Sequence, residues 1–171
     1  TLHNGVSQIT GKKVGIDVGD PRDFKTFEDL YEAFKRQYKF VVNRVLWLGT
    51  LAQNIEPQYL RFPFTSCISG PGCLEKGQDL IITDSNHSYG ISDRAIVDTA
   101  DSLIAIKKLV FDERKLTMDE LMNALDTNFE GERGEEIRQL CLAAPKFGND
   151  IDEADLMVRD VGRFSASVIM S

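Results

Sequence analysis

With 27 acidic side chains against 20 lysines and arginines, the 171-residue chain carries a net charge of −7. That length supports one domain with a real core, and 42% hydrophobic residues place it among folded rather than disordered chains. The negative surplus disfavours phosphate backbones and anionic membranes as partners, and no apolar run approaches the ~20 residues of a membrane span.

The longest apolar candidate, KFVVNRVLWLGTLAQ, is broken by Asn43 and Arg44. Thr1 opens directly on TLHNGVSQITGKK with no apolar leader, and three cysteines suit a reducing cytoplasm better than a disulfide scaffold. A start without Met and a stop at SASVIMS lead us to expect a piece of a longer protein.

Residues 1–25 read as loop, since Gly5, Gly11, Gly15, Gly19 and Pro21 interrupt every short apolar run. Thr26 is the expected N-cap of a helix, with Glu28 and Asp29 in its first turn where the helix dipole favours negative charge. From Phe27, the positions Leu30, Tyr31, Phe34, Tyr38, Val41, Val42, Val45 and Leu48 recur at helical spacing. This helix is expected to reach Ile55 and stop before Pro57. Its later half is apolar on most faces and calls for burial on more than one side.

Residues 57–94 show no helical period, and DLIIT within them is the best candidate strand. Helices return with a stripe through Ile96, Ala100, Leu103, Ile106, Leu109 and Val110. Thr117 and Glu120 have the spacing of a capping box that starts a helix through Leu121, Met122 and Leu125. A further helix, EEIRQLCLAA, stops at Pro145, and a last one starts at Asp150 or Asp152 and carries Ala154, Met157, Val158 and Val161. These apolar stripes need a partner that the chain does not supply in any obvious place.

No self-contained catalytic constellation emerges from the residues. Cys67 and Cys73 flank a Gly-Pro-Gly turn, and three readings of them stand open. A zinc site wants four ligands and cysteines about two to four residues apart, which is not the spacing here. A nucleophile would need Lys76 or His87 to hold it as thiolate. Otherwise they are buried structural thiols in a glycine-rich loop. GPGCLEKG lacks the ending of a phosphate loop. The acids of FGNDIDEAD fit a helix N-terminus better than a calcium loop, and His3 and His87 show no acid–base spacing with a serine or cysteine.

Several longer blocks carry a resemblance. LHNGVSQITGKKVG, GDPRDFKTFEDLYEAFKRQ, SCISGPGCLEKGQDL, ADSLIAIKKLVFDERKLTMDELMNALDTNFEG and RQLCLAAPKFGNDIDEAD resemble, in order and spacing, the glycyl radical enzymes of the pyruvate formate-lyase-like superfamily. The resemblance spans nearly the whole chain. It implies an α/β fold, with residues 1–171 an internal fragment of the superfamily's barrel domain, mostly helical with long loops. Lyases of the family that act on glycerol or choline usually show GGAxYN after the cysteine-bearing loop. Here DSNHSYGISDRAIVDTADSL stands instead, and this variant resembles the fumarate-adding branch, above all the catalytic subunit of alkylsuccinate synthase, with benzylsuccinate synthase next.

The resemblance further implies a mechanism. An activating enzyme with S-adenosylmethionine and an iron–sulfur cluster installs a radical on a backbone glycine. That glycine oxidises a cysteine to a thiyl, which takes hydrogen from a hydrocarbon, and the hydrocarbon radical adds to fumarate. The implied partners are thus fumarate, a hydrocarbon (an n-alkane, or toluene in the benzylsuccinate alternative), the activating enzyme and small accessory subunits, in the cytoplasm of an anaerobic prokaryote. No cofactor is expected to be bound by this fragment.

By the same resemblance the thiyl cysteine lies upstream of NGVSQITGKK, and the radical glycine lies in an RVxG(Y/F)-type motif beyond GND. Gly162 in RDVGRF is a superficial match in the wrong place, and the fragment alone is expected to be inactive. Tyr89, Gly90 and Ile91, before ADSL, are the expected substrate contacts, Ile91 suited to a hydrocarbon and Gly90 permitting close approach. A plain loop leading into a helix is the alternative reading of those three. Rival functions are a glycyl radical dehydratase or carbon–nitrogen lyase, and an acidic helical interaction module.

Overall fold

The start of the first long helix shows how local chemistry sets the architecture. In a computed structural model that describes residues 1–69, 71–83 and 93–170, Thr26 Oγ1 accepts from Asp29 N at 3.2 Å, and Asp29 Oδ2 accepts from Thr26 N at 2.9 Å. This reciprocal cap satisfies two backbone amides that a helix start leaves without intrahelical partners. Helix α1 then runs over Phe27–Tyr59. It passes through Pro57, where a stop was expected, and ends two residues later.

The chain divides into two units, Thr1–Val42 with Asp93–Ser171, and Asn43–Ser92. In the first, residues before α1 form a looped clamp. Val6 and Lys13 make an isolated antiparallel bridge, and the Gly5 carbonyl accepts from Val14 N and Gly15 N at 2.9 Å each. Asn4 Nδ2 donates to Asp17 Oδ1 at 2.9 Å while its Oδ1 accepts from Val18 N at 2.7 Å. Buried Gln37 on α1 donates to the Ile16 carbonyl at 2.5 Å. Gly15 is held so close to Gln37 and Gly5 that a Cβ there would collide with both.

The rest of that unit is helical: α5 (Ile96–Ile106), α6 (Met118–Asp126), α7 (Gly131–Ala143) and α8 (Asp152–Ile169). α5 packs chiefly on α8. The core joins Phe27 and Leu30 of α1 to Ala100 and Leu103 of α5, Leu121 and Met122 of α6, Ile137 of α7 and Val161 of α8. Leu30, Ile104 and Ile137 are the largest fully buried side chains, each stabilising the fold by about 1.5–3 kcal/mol relative to exposure. The expected capping box opens α6: Thr117 N donates to Glu120 Oε2 at 2.9 Å, and Glu120 N donates to Thr117 Oγ1 at 3.2 Å. α8 starts at Asp152 with Asp152, Glu153 and Asp155 in its first turn, as the helix-start reading of that acidic stretch anticipates.

Directly after α5 the chain makes a π-helical turn, Lys107–Asp112, in which Glu113 N reaches back to Lys108 O at 2.8 Å. Lys107 straps this turn, its Nζ lying 2.8 Å from Asp112 and 2.6 Å from Glu153 on α8. Both carboxylates hold the ammonium's pKa above its ordinary value.

The second unit holds the rest of α1 with three short helices, α2 (Pro63–Ser69), α3 (Pro71–Lys76) and α4 (Leu80–Thr83). The expected strand DLIIT is therefore a helical turn. Asp79 decides this: its carboxylate accepts from Phe62 N at 2.7 Å and Ile81 N at 3.2 Å, and Ser66 Oγ accepts from Leu80 N at 2.9 Å. Local capping outweighs the β preference of two isoleucines. Among the described residues there is no strand beyond the Val6–Lys13 bridge. Trp47, Leu48, Leu51 and Ile55 on the later half of α1 stay exposed among the described residues, where their sequence calls for burial. No helix among the described residues is long and apolar enough to cross a membrane.

Candidate functional site

The expected substrate contacts Tyr89, Gly90 and Ile91 lie outside the described residues. The same stretch, YGISDRA, becomes describable at Asp93, and there the structure is specific. Tyr38 Oη on α1 donates to Asp93 Oδ2 at 2.7 Å and lies 2.6 Å from Ser165 Oγ on α8, while Ser165 also hydrogen-bonds Asp93. Two hydroxyl protons serve three close oxygens, and the carboxylate is the natural acceptor. Ser165 is 2% exposed, whereas Tyr38 and Asp93 are half-buried. Burial pushes the Tyr38 phenol above its ordinary pKa; Ser165 partly offsets this and Asp93 adds to it. The phenol stays protonated and remains a donor.

Two residues on, Ala95 adopts φ = 63°, a left-handed conformation that L side chains disfavour, and α5 begins at Ile96. The stretch thus enters α5 through an anchored carboxylate and a strained turn. A further bond ties two of the sequence blocks: Asp101 of ADSL accepts from Phe147 N of APKFGND at 2.9 Å. Lys146 in the latter block donates to the carbonyls of Cys141 and Ala144 at 2.9 and 3.0 Å, closing the end of α7.

Sequence reasoning placed Tyr38 on an apolar stripe and passed over Ser165. The available signal was spacing: Ser165 sits four residues after Val161 on the face of α8 that buries Ala154 and Val168. A hydroxyl on such a face needs a partner.

The cysteines separate. Cys73 is buried as the structural-thiol reading expects, but Cys67 is exposed, so that reading fits only one of the pair. Short α2 turns Cys67 outward while α3 turns Cys73 inward. Cys141 on α7 is half-buried, and burial raises its thiol's pKa against a smaller pull from Lys146. Gly162 lies within α8 with open space around it. Among the described residues no group of three or more His, Cys, Asp or Glu is placed to hold a metal ion. An apolar groove beside Leu2 follows α5, with hollows of about 300 and 480 Å3.

Comparison with known proteins gives concordant results. The family described as pyruvate formate lyase-like matches residues 1–170. The trans-4-hydroxy-L-proline dehydratase of Clostridioides difficile is 39% identical over 162 residues, 94% of this chain and 20% of the relative. The isethionate sulfite-lyase of Nitratidesulfovibrio vulgaris is 35% identical over 168 residues, 96% of this chain and 20% of that protein. Among solved structures, the C. difficile hydroxyproline dehydratase with trans-4-hydroxy-L-proline bound superposes with a TM-score of 0.77 at 36% identity, over 98% of this chain and 21% of that one. The glycerol-bound B12-independent glycerol dehydratase of Clostridium butyricum gives 0.74 at 29% identity, over 98% and 21%. The chain spans about a fifth of the length of the relatives it matches.

Proposed function

The chain belongs to the pyruvate formate lyase-like family of glycyl radical enzymes, and on that premise we propose that the intact protein joins a hydrocarbon to fumarate by radical addition. Members of this family carry a glycyl radical installed by an activating enzyme. In the proposed reaction a cysteine thiyl takes a hydrogen atom from the hydrocarbon and becomes a thiol. The carbon radical adds to the double bond of fumarate, and the resulting succinyl radical takes the hydrogen atom back. An n-alkane is the proposed hydrocarbon and toluene its nearest rival. A cytoplasmic setting and accessory subunits belong to the same proposal.

The observation that carries this reading is the stretch YGISDRAIVDTADSL, whose variant residues resemble the fumarate-adding branch. Asp93 within that stretch is hydrogen-bonded to Tyr38 of α1 and Ser165 of α8, which supports a positioning role for it. The exposed apolar face of Trp47, Leu48, Leu51 and Ile55 supports placing α1 in the wall of a larger body. A radical intermediate needs such a wall to exclude water and stray hydrogen donors.

A second reading, a dehydratase or carbon–heteroatom lyase, is favoured by the names of the relatives. These include trans-4-hydroxy-L-proline dehydratase, isethionate sulfite-lyase and, at 28% identity, the (2S)-3-sulfopropanediol dehydratase of Klebsiella oxytoca. The deciding experiment uses the full-length protein with its activating enzyme under anoxic conditions. Fumarate is supplied with 13C-labelled n-hexane or toluene, and in parallel reactions trans-4-hydroxy-L-proline, glycerol or isethionate is supplied alone. A labelled alkyl- or benzylsuccinate formed only with fumarate supports the proposal. Turnover of a polar substrate without any succinate product overturns it in favour of the second reading.

A further inference from the structure

Cys67 on α2 and Cys73 on α3 line one cavity of about 260 Å3 within the second unit, together with Pro63, Ser66, Leu74 and Asp79. The two thiols are free and unequal: Cys67 is exposed to solvent, while Cys73 is 5% exposed at the inner wall. A third donor for a soft metal is not at hand, since Asp79 already accepts from the amides of Phe62 and Ile81. What the arrangement offers is one exposed thiol and one sheltered thiol on the wall of a single cavity. α2 and α3 are each two turns or less and pack on one another.

We propose that Cys67 and Cys73 form a dithiol site that closes to an intramolecular disulfide by exchange with a small-molecule disulfide. The Cys67 thiolate attacks one sulfur of the reagent, giving a mixed disulfide and releasing one small thiolate, which takes up the proton lost by Cys67. Cys73 then loses its proton and attacks the Cys67 sulfur of the mixed disulfide. The second small thiol departs with that proton. The protein is oxidised by two electrons and the reagent is reduced to two thiols, so no further oxidant is required. The order follows from exposure, because Cys73 is sheltered from the reagent until Cys67 carries it. This site is independent of the substrate proposed above.

The test uses the full-length protein, held anoxic, treated with oxidised glutathione, then denatured and alkylated with N-ethylmaleimide at mildly acidic pH before peptide mass spectrometry. The expected product is the peptide carrying both Cys67 and Cys73 with two hydrogens fewer and neither thiol alkylated, while Cys141 remains alkylated. In Cys73→Ser the glutathione stays on Cys67, and in Cys67→Ser the Cys73 thiol stays free. Glutathione retained on Cys67 in the unmutated protein overturns the proposal, as does alkylation of both thiols unchanged by the reagent.

Discussion

Tyr38 and Ser165 are 127 residues apart in the chain, yet their hydroxyl oxygens lie 2.6 Å apart beside the carboxylate of Asp93. Three elements of the first unit, α1, the approach to α5 and α8, are joined at that point. Hydrogen bonds to a charged group contribute about 1.5–3 kcal/mol each, more than neutral ones. Tyr38→Phe keeps the ring and removes one donor, so we expect the start of α5 to open more easily. Hydrogen exchange of residues 94–99 in the intact protein should quicken roughly tenfold, about 1.4 kcal/mol. Ser165→Ala should do the same, and the double variant should cost less than the two singles combined. Unchanged exchange in both single variants contradicts a joint at Asp93.

Ala95 supplies a change of opposite sign. Its left-handed backbone costs an L residue about 1–2 kcal/mol, and glycine removes that strain while adding about 0.5–1 kcal/mol of chain entropy to lose. Ala95→Gly should therefore stabilise the approach to α5 slightly, and Ala95→Val should weaken it. Slower exchange over the first turn of α5 in the glycine variant is the expected readout.

Gly134 on α7 tests close packing. A Cβ there would lie 2.5 Å from the carbonyl carbon and oxygen of Phe129, whose own backbone is held at φ = 60°. Backbone cannot swing away as a side chain can, so Gly134→Ala should destabilise by about 1–3 kcal/mol. Thermal unfolding followed by circular dichroism should show the loss, while Gly162→Ala, in open space on α8, should leave the transition unchanged or raised.

Acid should weaken the fold through two carboxyls whose pKa values are depressed on folding. Glu120 is held at about 2 by the Thr117 amide, then by Arg133 and the Thr117 hydroxyl, and Glu135 is held at about 2 by Arg138 and then Gln139. Both values are lowered on folding, so the stabilisation is complete above the ordinary value of 4.5 and is lost as pH falls from there toward about 2. Glu120→Gln keeps a side chain that can accept at the cap but removes the titration. Denaturation midpoints measured between pH 5 and 2 should accordingly fall less steeply in that variant, a window set by the two cited values. Equal slopes in both proteins contradict the assignment.

The parts of this fold that were legible in the sequence are those decided locally. The box at Thr117 and Glu120, the stripe of α5 and the start of α8 each follow from residues within a turn or two. DLIIT was misread because the deciding groups, Asp79 and Ser66, act through their own hydrogen bonds rather than through periodicity. Tyr38 and Ser165 were illegible for a different reason: a polar contact across 127 residues leaves no mark in spacing, only a hydroxyl on an otherwise apolar face. The family resemblance was legible from the blocks, and the matched family supports it over residues 1–170. Its finer branch rests on a stretch whose substrate-facing candidates Tyr89, Gly90 and Ile91 fall outside the described residues.

The widened turn over Lys107–Asp112 gives the molecule an unusual sensitivity to length. Each residue in an α-helix advances the chain by about a hundred degrees around the axis, and the π turn accommodates one more than a uniform helix would. Removing a single residue there would act less as a shortening than as a twist. Everything downstream, from the buried Leu116 to the cap of α6, would be turned away from the faces it now meets, while Lys107 lost its grip on Glu153.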